Sequence, residues 1–220
     1  MSGQFFGTDG IRDVAGQGRL SRELVTAYGH AIAAWLSERS PRARILVGRD
    51  TRISGPELLR QLAPGFLAAG HTVVDGGVLP TPAVQALCRE EGFDLAVVVS
   101  ASHNPAIDNG LKFFGKNGRK LADDVEESIE RLVHSVLGGN LGLLQVEAGE
   151  QLEDPAAGDR YLAFMEDQFS DLDLSGVSVV LDCSHGAASE LAPAALARLS
   201  ATGHVRGAAP DGLNINDRVG

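Results

Sequence analysis

Residues 95–114 read Leu95-Ala-Val-Val-Val-Ser100-Ala-Ser-His-Asn-Pro105-Ala-Ile-Asp-Asn-Gly110-Leu-Lys-Phe-Phe114. The first five are apolar, Val-rich and without polar alternation. They are too few to cross a membrane, and this is how a strand buried on both faces reads. The run breaks at residues 100–105 into a polar segment closed by a proline. Asn104 precedes that proline and is directed to extended or turn geometry. Asp108-Asn109-Gly110 predicts a turn, and residues 111–114 predict a second strand. Two hydroxyls, an imidazole and a lysine thus lie on or beside a tight loop between buried elements, which is where sites are usually built.

Upstream, Gly7-Thr-Asp-Gly-Ile-Arg12 is a polar, glycine-bearing loop after Phe5 and Phe6. Leu20-Ser21 reads as a staple and N-cap. Leu24, Tyr28, Ile32, Trp35 and Leu36 follow at helical spacing, as a core-facing stripe does. Residues 44–48 predict a strand, with Arg49-Asp-Thr-Arg52 a charged loop at its carboxyl end. Ser54 and Pro56 open a helix towards Ala69, with Pro64 inside it, and Gly70 ends it. Residues 71–74 predict a strand, Gly76-Gly77 and Pro80-Thr-Pro82 loops, and residues 83–90 a helix. Strands alternating with helices imply a three-layer α/β domain with a mixed, mostly parallel sheet. In open α/β sheets ligands bind at the carboxyl ends of strands. Residues 49–52 and 100–103 both follow strands directly, so both loops fall on the expected ligand side.

Downstream, Asp123 is expected to cap an amphipathic helix carrying Val125, Ile129, Leu132, Val133 and Val136. Residues 141–158 read as a connecting segment. Tyr161 to Met165 begins a helix, residues 177–181 predict a buried strand, and Asp182-Cys-Ser-His-Gly186 is a polar loop. Residues 189–199 predict a helix closed by Gly203. The order strand, polar loop, helix, Gly-His, strand at residues 45–76 is echoed at residues 179–207. Such an echo suggests two related units. The expected division is a first domain at residues 1–154 and the start of a second, incomplete domain of the same type at residues 155–220, in the front part of a longer protein.

The net charge of −10 over 220 residues speaks against a nucleic-acid partner, which needs basic clusters. No apolar run approaches the ~20 residues of a membrane span, and the N-terminus lacks the pattern of a signal peptide. Cys88 and Cys183 have no metal-ligand spacing and read as reduced core residues of a cytoplasmic protein.

The loop residues permit several chemistries. Ser100 and Ser102 either satisfy turn hydrogen bonds or act as nucleophiles, but neither has the flanking glycines of a hydrolase elbow. A serine that carries a phosphoryl group needs positive charge around it. Lys112, His103, Arg12, Arg49 and Arg52 are the candidates. His103 equally suits a loop-structuring role, Lys112 a solvated strand edge, and Arg49 and Arg52 surface pairs with Asp50.

Residues 100–105 followed by Asp108-Asn-Gly-Leu-Lys112 resemble the phosphoserine loop of the α-D-phosphohexomutases. Phe6-Gly-Thr-Asp-Gly-Ile-Arg12, Gly48-Arg-Asp-Thr-Arg-Ile-Ser54, Pro80-Thr-Pro82 and Asp211-Gly-Leu-Asn-Ile-Asn216 are similar to other signatures of that family. The opening favours the bacterial branch that interconverts the 6- and 1-phosphates of glucosamine. Relatives acting on mannose or glucose phosphates remain an alternative, as does a non-catalytic phosphosugar-binding module. The resemblance implies a phosphoserine at Ser102 that passes its phosphoryl group to the sugar and recovers one from a sugar bisphosphate, the activator of the cycle. It also implies Mg²⁺ held in part by Ser102, with His103 and Lys112 near the transferring phosphoryl and Arg12 approaching it. Ser100 matches a neighbouring polar position. The family's acidic Asp-Gly-Asp-x-Asp-Arg metal loop has no counterpart in the sequence, since Asp123-Asp124 and Asp171-Leu-Asp173 lack its glycine and spacing. The expectation is therefore a chain that by itself does not complete the reaction. The expected partner is a small phosphosugar, and oligomeric state is left open.

Overall fold

A computed structural model of the chain describes residues 5–8, 10–141 and 149–220. The elements run β1 (Ile11–Val14), α1 (Arg22–Ser37), β2 (Arg44–Arg49), α2 (Gly55–Ala68), β3 (Thr72–Val78), α3 (Thr81–Glu90), β4 (Leu95–Val99), β5 (Asp108–Gly115), α4 (Asp123–Leu137), β6 (Gln151–Glu153), α5 (Ala157–Gln168), β7 (Ser178–Asp182), α6 (Leu191–Arg198) and β8 (Thr202–Arg206).

Six strands form one sheet in the order β1-β5-β4-β2-β3-β6. The β4–β2, β2–β3 and β3–β6 pairs are parallel, and β5 runs antiparallel to both β1 and β4. Every side chain of β4 is buried, as its unbroken apolar run requires, because both faces of the sheet are covered. On one face Ile45, Val47, Leu95, Val97 and Val99 pack with α1, α2 and α4. On the other, Leu46, Ala96 and Val98 pack with α3 and with Ala157 at the start of α5. Each of the Val, Leu and Ile side chains contributes about 1.5–3 kcal/mol through burial.

Ser21 caps α1, its Oγ accepting from the Leu24 N–H at 3.5 Å. Helices α1 and α2 touch through two glycines. A Cβ on Gly29 would stand 2.2 Å from the Leu62 carbonyl oxygen, and one on Gly65 would stand 2.2 Å from the Gly29 carbonyl carbon. Only glycine permits that approach. Helix α2 runs through Pro64 to Ala68, and Gly70 then adopts a positive φ of 79°.

Several expectations are corrected. Residues 108–110 form no turn but open β5, between β1 and β4. Pairing with β1 along one edge outweighs local turn propensity, and Asn109 is satisfied by donating to Ser54 Oγ at 2.8 Å. Gly76 and Gly77 lie inside β3 rather than in a loop. Asp123 is the first residue of α4 and Ala122 stands at its N-cap. Within the expected connecting segment, residues 142–148 lie outside the described residues, and residues 151–153 form β6, an edge strand. Gly203 belongs to β8, and the chain after α6 reverses at Ser200, where φ is 58°.

The echoed unit is real: β7, α6 and β8 form a parallel two-stranded sheet with its helix, as β2, α2 and β3 do. The expectation of a buried strand at residues 177–181 is overturned, since Val180 is 75% exposed. Among the described residues β7 pairs only with β8, so helices do not cover both its faces as they do those of β4.

Candidate active site

The carboxyl ends of the parallel strands meet at one edge of the six-stranded sheet. The Asp50 N–H donates to the Val99 carbonyl at 3.0 Å, which ties the end of β2 to the end of β4. The Ser100 N–H donates to Gly110 of β5 at 3.0 Å, and Gly110 is paired with Arg12 of β1. Arg12, Gly110, Ser100 and Asp50 therefore stand level across four adjacent strands. Gly110 sits where three of them converge. A Cβ there would lie 2.7 Å from the Ser100 carbonyl oxygen and 2.8 Å from that of Ile11. Lys112, opposite Val98, is half-buried and lines a cavity of about 230 Å³ with Gly10, Thr81, Phe114 and Lys120. Gly10, bridged to Gly7, rests on the backbone of β5 beside it, because it has φ 95° and a Cβ would meet the Leu111 carbonyl oxygen at 2.4 Å.

Residues 100–107 connect β4 to β5. Ser102 is exposed at the loop's tip and has φ 56°, the left-handed region. A non-glycine residue there costs roughly 1–2 kcal/mol and persists only where its surroundings hold it. The holding groups are visible. The Ser102 N–H donates to Ser100 Oγ at 3.1 Å. Arg52 Nη2 donates to the carbonyls of Ser102 at 3.2 Å and of Asn104 at 2.6 Å. Asn104 Nδ2 in turn donates to Asp108 Oδ2 at 2.8 Å.

Arg52 is 1% exposed and ion-paired with Asp50, which is 4% exposed. The expectation of surface pairs with Asp50 is corrected for both arginines. Arg52 pairs with Asp50 in the interior, and Arg49 pairs with Asp75 at 2.5 Å. Buried charges persist when paired and hydrogen-bonded, so Arg52 builds the loop and its guanidinium is not presented to a ligand. His103 is exposed on the loop and Ser100 braces its neighbour.

The second unit closes on the same edge. Thr51 Oγ1 donates to the His185 carbonyl at 2.5 Å. The Ile53 N–H donates to the Gly212 carbonyl at 2.9 Å. Asp182, at the end of β7, accepts from the N–H groups of Gly220 and Ser184, which holds its carboxyl below the usual range.

A family profile described as "Phosphoglucomutase/phosphomannomutase, alpha/beta/alpha domain I" matches residues 3–137. The chain belongs to this family. The chain is 47% identical over 218 residues to a phosphoglucosamine mutase of Moorella thermoacetica, covering 99% of this chain and 49% of that protein. It is 40% identical over 225 residues to one of Geobacillus kaustophilus, covering 99% and 48%. It thus spans about half the length of the curated relatives it matches. A solved phosphoglucomutase/phosphomannomutase family protein of Burkholderia thailandensis superposes with a TM-score of 0.79 at 27% identity, over 96% of this chain and 46% of that one. A Paramecium parafusin shares the fold, with a TM-score of 0.78 at 20% identity over 97% and 44%.

At this sheet edge Ser100, Ser102 and His103 lie on the β4–β5 loop, Arg12 on β1 and Lys112 on β5, while Arg49 and Arg52 are tied to Asp75 and Asp50. Mg²⁺ requires several oxygen ligands. Among the described residues no group of three or more His, Cys, Asp or Glu side chains is placed to hold a metal ion. Ser102 with its single oxygen does not make such a site, so no chemical step is derived through the ion. Sequence reasoning missed the structural parts of Asp50 and Asn216. Asp50 carried a signal, since an acid two residues from an arginine at a strand end is placed to pair with it.

Proposed function

We propose that the chain supplies the phosphoryl-carrying site of a phosphoglucosamine mutase, which interconverts glucosamine 6-phosphate and glucosamine 1-phosphate. The observation that carries this reading is the similarity, at 40–47% identity across 99% of the chain, to relatives that bear that name. It favours the glucosamine branch over mannose and glucose phosphates. The geometry supports it: an exposed hydroxyl held in a strained conformation, with Arg12 and Lys112 on the strands beneath.

In the proposed cycle Ser102 enters as a phosphoserine. Its Oγ–P bond breaks as the C1 hydroxyl of glucosamine 6-phosphate forms a new O–P bond and gives up its proton. The products are glucosamine 1,6-bisphosphate and free Ser102. After the intermediate turns round, Ser102 Oγ takes the 6-phosphoryl group and glucosamine 1-phosphate leaves. Charge on the transferring group requires cationic neighbours. Lys112 and Arg12 fill that role, and His103 is the loop's proton-transfer group. The Mg²⁺ implied by the resemblance would supply further charge stabilisation and needs ligands beyond Ser102.

Incubation with glucosamine 1,6-bisphosphate followed by phosphosite mapping by mass spectrometry tests this. Phosphate on Ser102 is expected. Phosphate on Ser100 alone overturns the reading.

A further inference from the structure

Asn216 lies 114 residues from Ser102 in the chain and touches it. Its Nδ2 donates to the Ser102 carbonyl at 3.0 Å and to the Asn104 carbonyl at 3.1 Å. These are the same two oxygens that Arg52 Nη2 reaches from within the first unit. Each carbonyl has two lone pairs, and each thus accepts twice, once from Arg52 and once from Asn216. Only the NH₂ end of an amide can stand between two carbonyl oxygens, so the orientation of the Asn216 side chain follows from its surroundings.

Asn216 is itself fixed. It has φ 61°, a conformation asparagine tolerates better than most residues. Its N–H donates to the Ser184 carbonyl at 2.8 Å. Its neighbour Ile215 is buried, and residues 51 and 53 are bonded to the same part of the second unit.

We propose that Asn216 is a positioning residue for Ser102: its amide completes a two-sided grip on the loop and holds the serine in its left-handed conformation for phosphoryl transfer. Arg52 alone leaves one lone pair on each carbonyl to water and the loop free to relax. The second unit thereby sets how the first presents its serine. The catalytic part of this inference rests on the phosphoryl-transfer reading above, while the grip itself does not.

Two substitutions separate the amide from the backbone. Asn216→Asp keeps the shape and replaces the donor by an acceptor facing two carbonyls. Asn216→Gly keeps the positive φ without strain and removes the amide. In both, amide hydrogen exchange of residues 102–108 is expected to quicken about tenfold, the worth of a lost hydrogen bond or two, with β2 and β4 unchanged. The initial rate of phosphate incorporation into Ser102 from glucosamine 1,6-bisphosphate is expected to fall by about tenfold at saturation, with the half-saturating concentration unmoved. Unaltered loop exchange overturns the grip. Faster exchange with wild-type incorporation overturns the positioning role. If wild-type chain carries phosphate on Ser100 instead of Ser102, the mutase reading falls, and the exchange comparison still decides the grip.

Discussion

The guanidinium of Arg52 reaches the main-chain carbonyl of Ser102 through Nη2 at 3.2 Å, from a side chain that is otherwise sealed in the interior with Asp50. One buried ion pair therefore supports the loop that carries the exposed serine. Arg52→Met removes the cation, leaves Asp50 buried without its partner, and takes one of two donors from each of two carbonyls. Breaking such a pair by removing one member costs about 3–5 kcal/mol. Denaturant titration is expected to show a loss of that size, and Arg52→Lys a loss nearly as large, because an ammonium cannot reproduce the planar fork that reaches Asp50 and both carbonyls together. A change below about 1 kcal/mol for Arg52→Met would mean that the pair is solvated and the loop supported by other groups.

The strain at Ser102 makes a separate prediction. Glycine occupies φ 56° freely, whereas alanine carries the same penalty as serine without a hydroxyl. Ser102→Gly is expected to be more stable than Ser102→Ala by about 1 kcal/mol, while both lose the hydroxyl proposed to accept the phosphoryl group. Equal unfolding midpoints for the two variants would show that the loop relaxes in solution and stores no strain.

How much of this was legible in the sequence depends on the range of the interactions. The burial of β4 and the stripe of α1 follow from local pattern, and the Ser100–Ser102 loop from a buried strand broken by polar residues and proline. The echo of β2-α2-β3 in β7-α6-β8 was legible because each is a repeated local order. What was not legible is set by distant partners. Asp108-Asn109-Gly110 has the chemistry of a turn, yet Val14, Asp13 and Arg12 of β1 pair with it and make it strand. Strand β6 reads Gln-Leu-Glu, is exposed throughout, and exists only because the open edge of β3 accepts it. Asn216 carries no local sign that its amide reaches Ser102. For β7 the apolar run is the same signal as in β4, but the layers that bury β4 do not cover it.

Two histidines give a pH dependence whose sign can be worked out. Burial holds His71 below its ordinary value of 6.5, and the same cause lowers His30. The His71 Nδ1 accepts from the Ala43 N–H at 3.1 Å, so the neutral ring carries its proton on Nε2, beside the Ser37 hydroxyl and the Ala33 carbonyl. The unfolded chain gains protons on both histidines as pH falls through about 6.5, while the folded chain resists until its own lower values. In that window the unfolded state binds more protons, so stability falls as pH falls; above it the contribution is flat. Denaturant titrations from about pH 8 to about pH 5 are expected to show this decline below about 6.5, and His71→Gln to show a shallower one. An identical slope in the variant would mean that His71 protonates in the folded protein as readily as in the unfolded.

Local stability should differ between the two sheets for reasons visible strand by strand. Strand β2 is flanked by β3 and β4, and Ile45, Leu46 and Val47 are wholly buried between helix layers. Strand β4 is flanked by β2 and β5 and is equally sealed. Opening either strand exposes apolar surface on both faces and breaks bonds on both edges, which amounts to unfolding the whole first unit. Strand β7 is bonded on one edge to β8, and α6 has no fully buried residue to anchor it. Val177 is 44% exposed and Val180 is 75% exposed, so opening β7 uncovers little that is not already wet. Amide exchange proceeds through the lowest-energy opening available to each segment. Protection is therefore expected to be strongest in β2 and β4 and clearly weaker in β7 and β8. Because an apolar strand with exposed faces and an open edge pairs readily with other chains, the difference should be read at low protein concentration. Equal protection in all four strands under those conditions would show that the second unit opens only with the first, and that its ties at Thr51, Ile53 and Asn216 weld the two into one cooperative body.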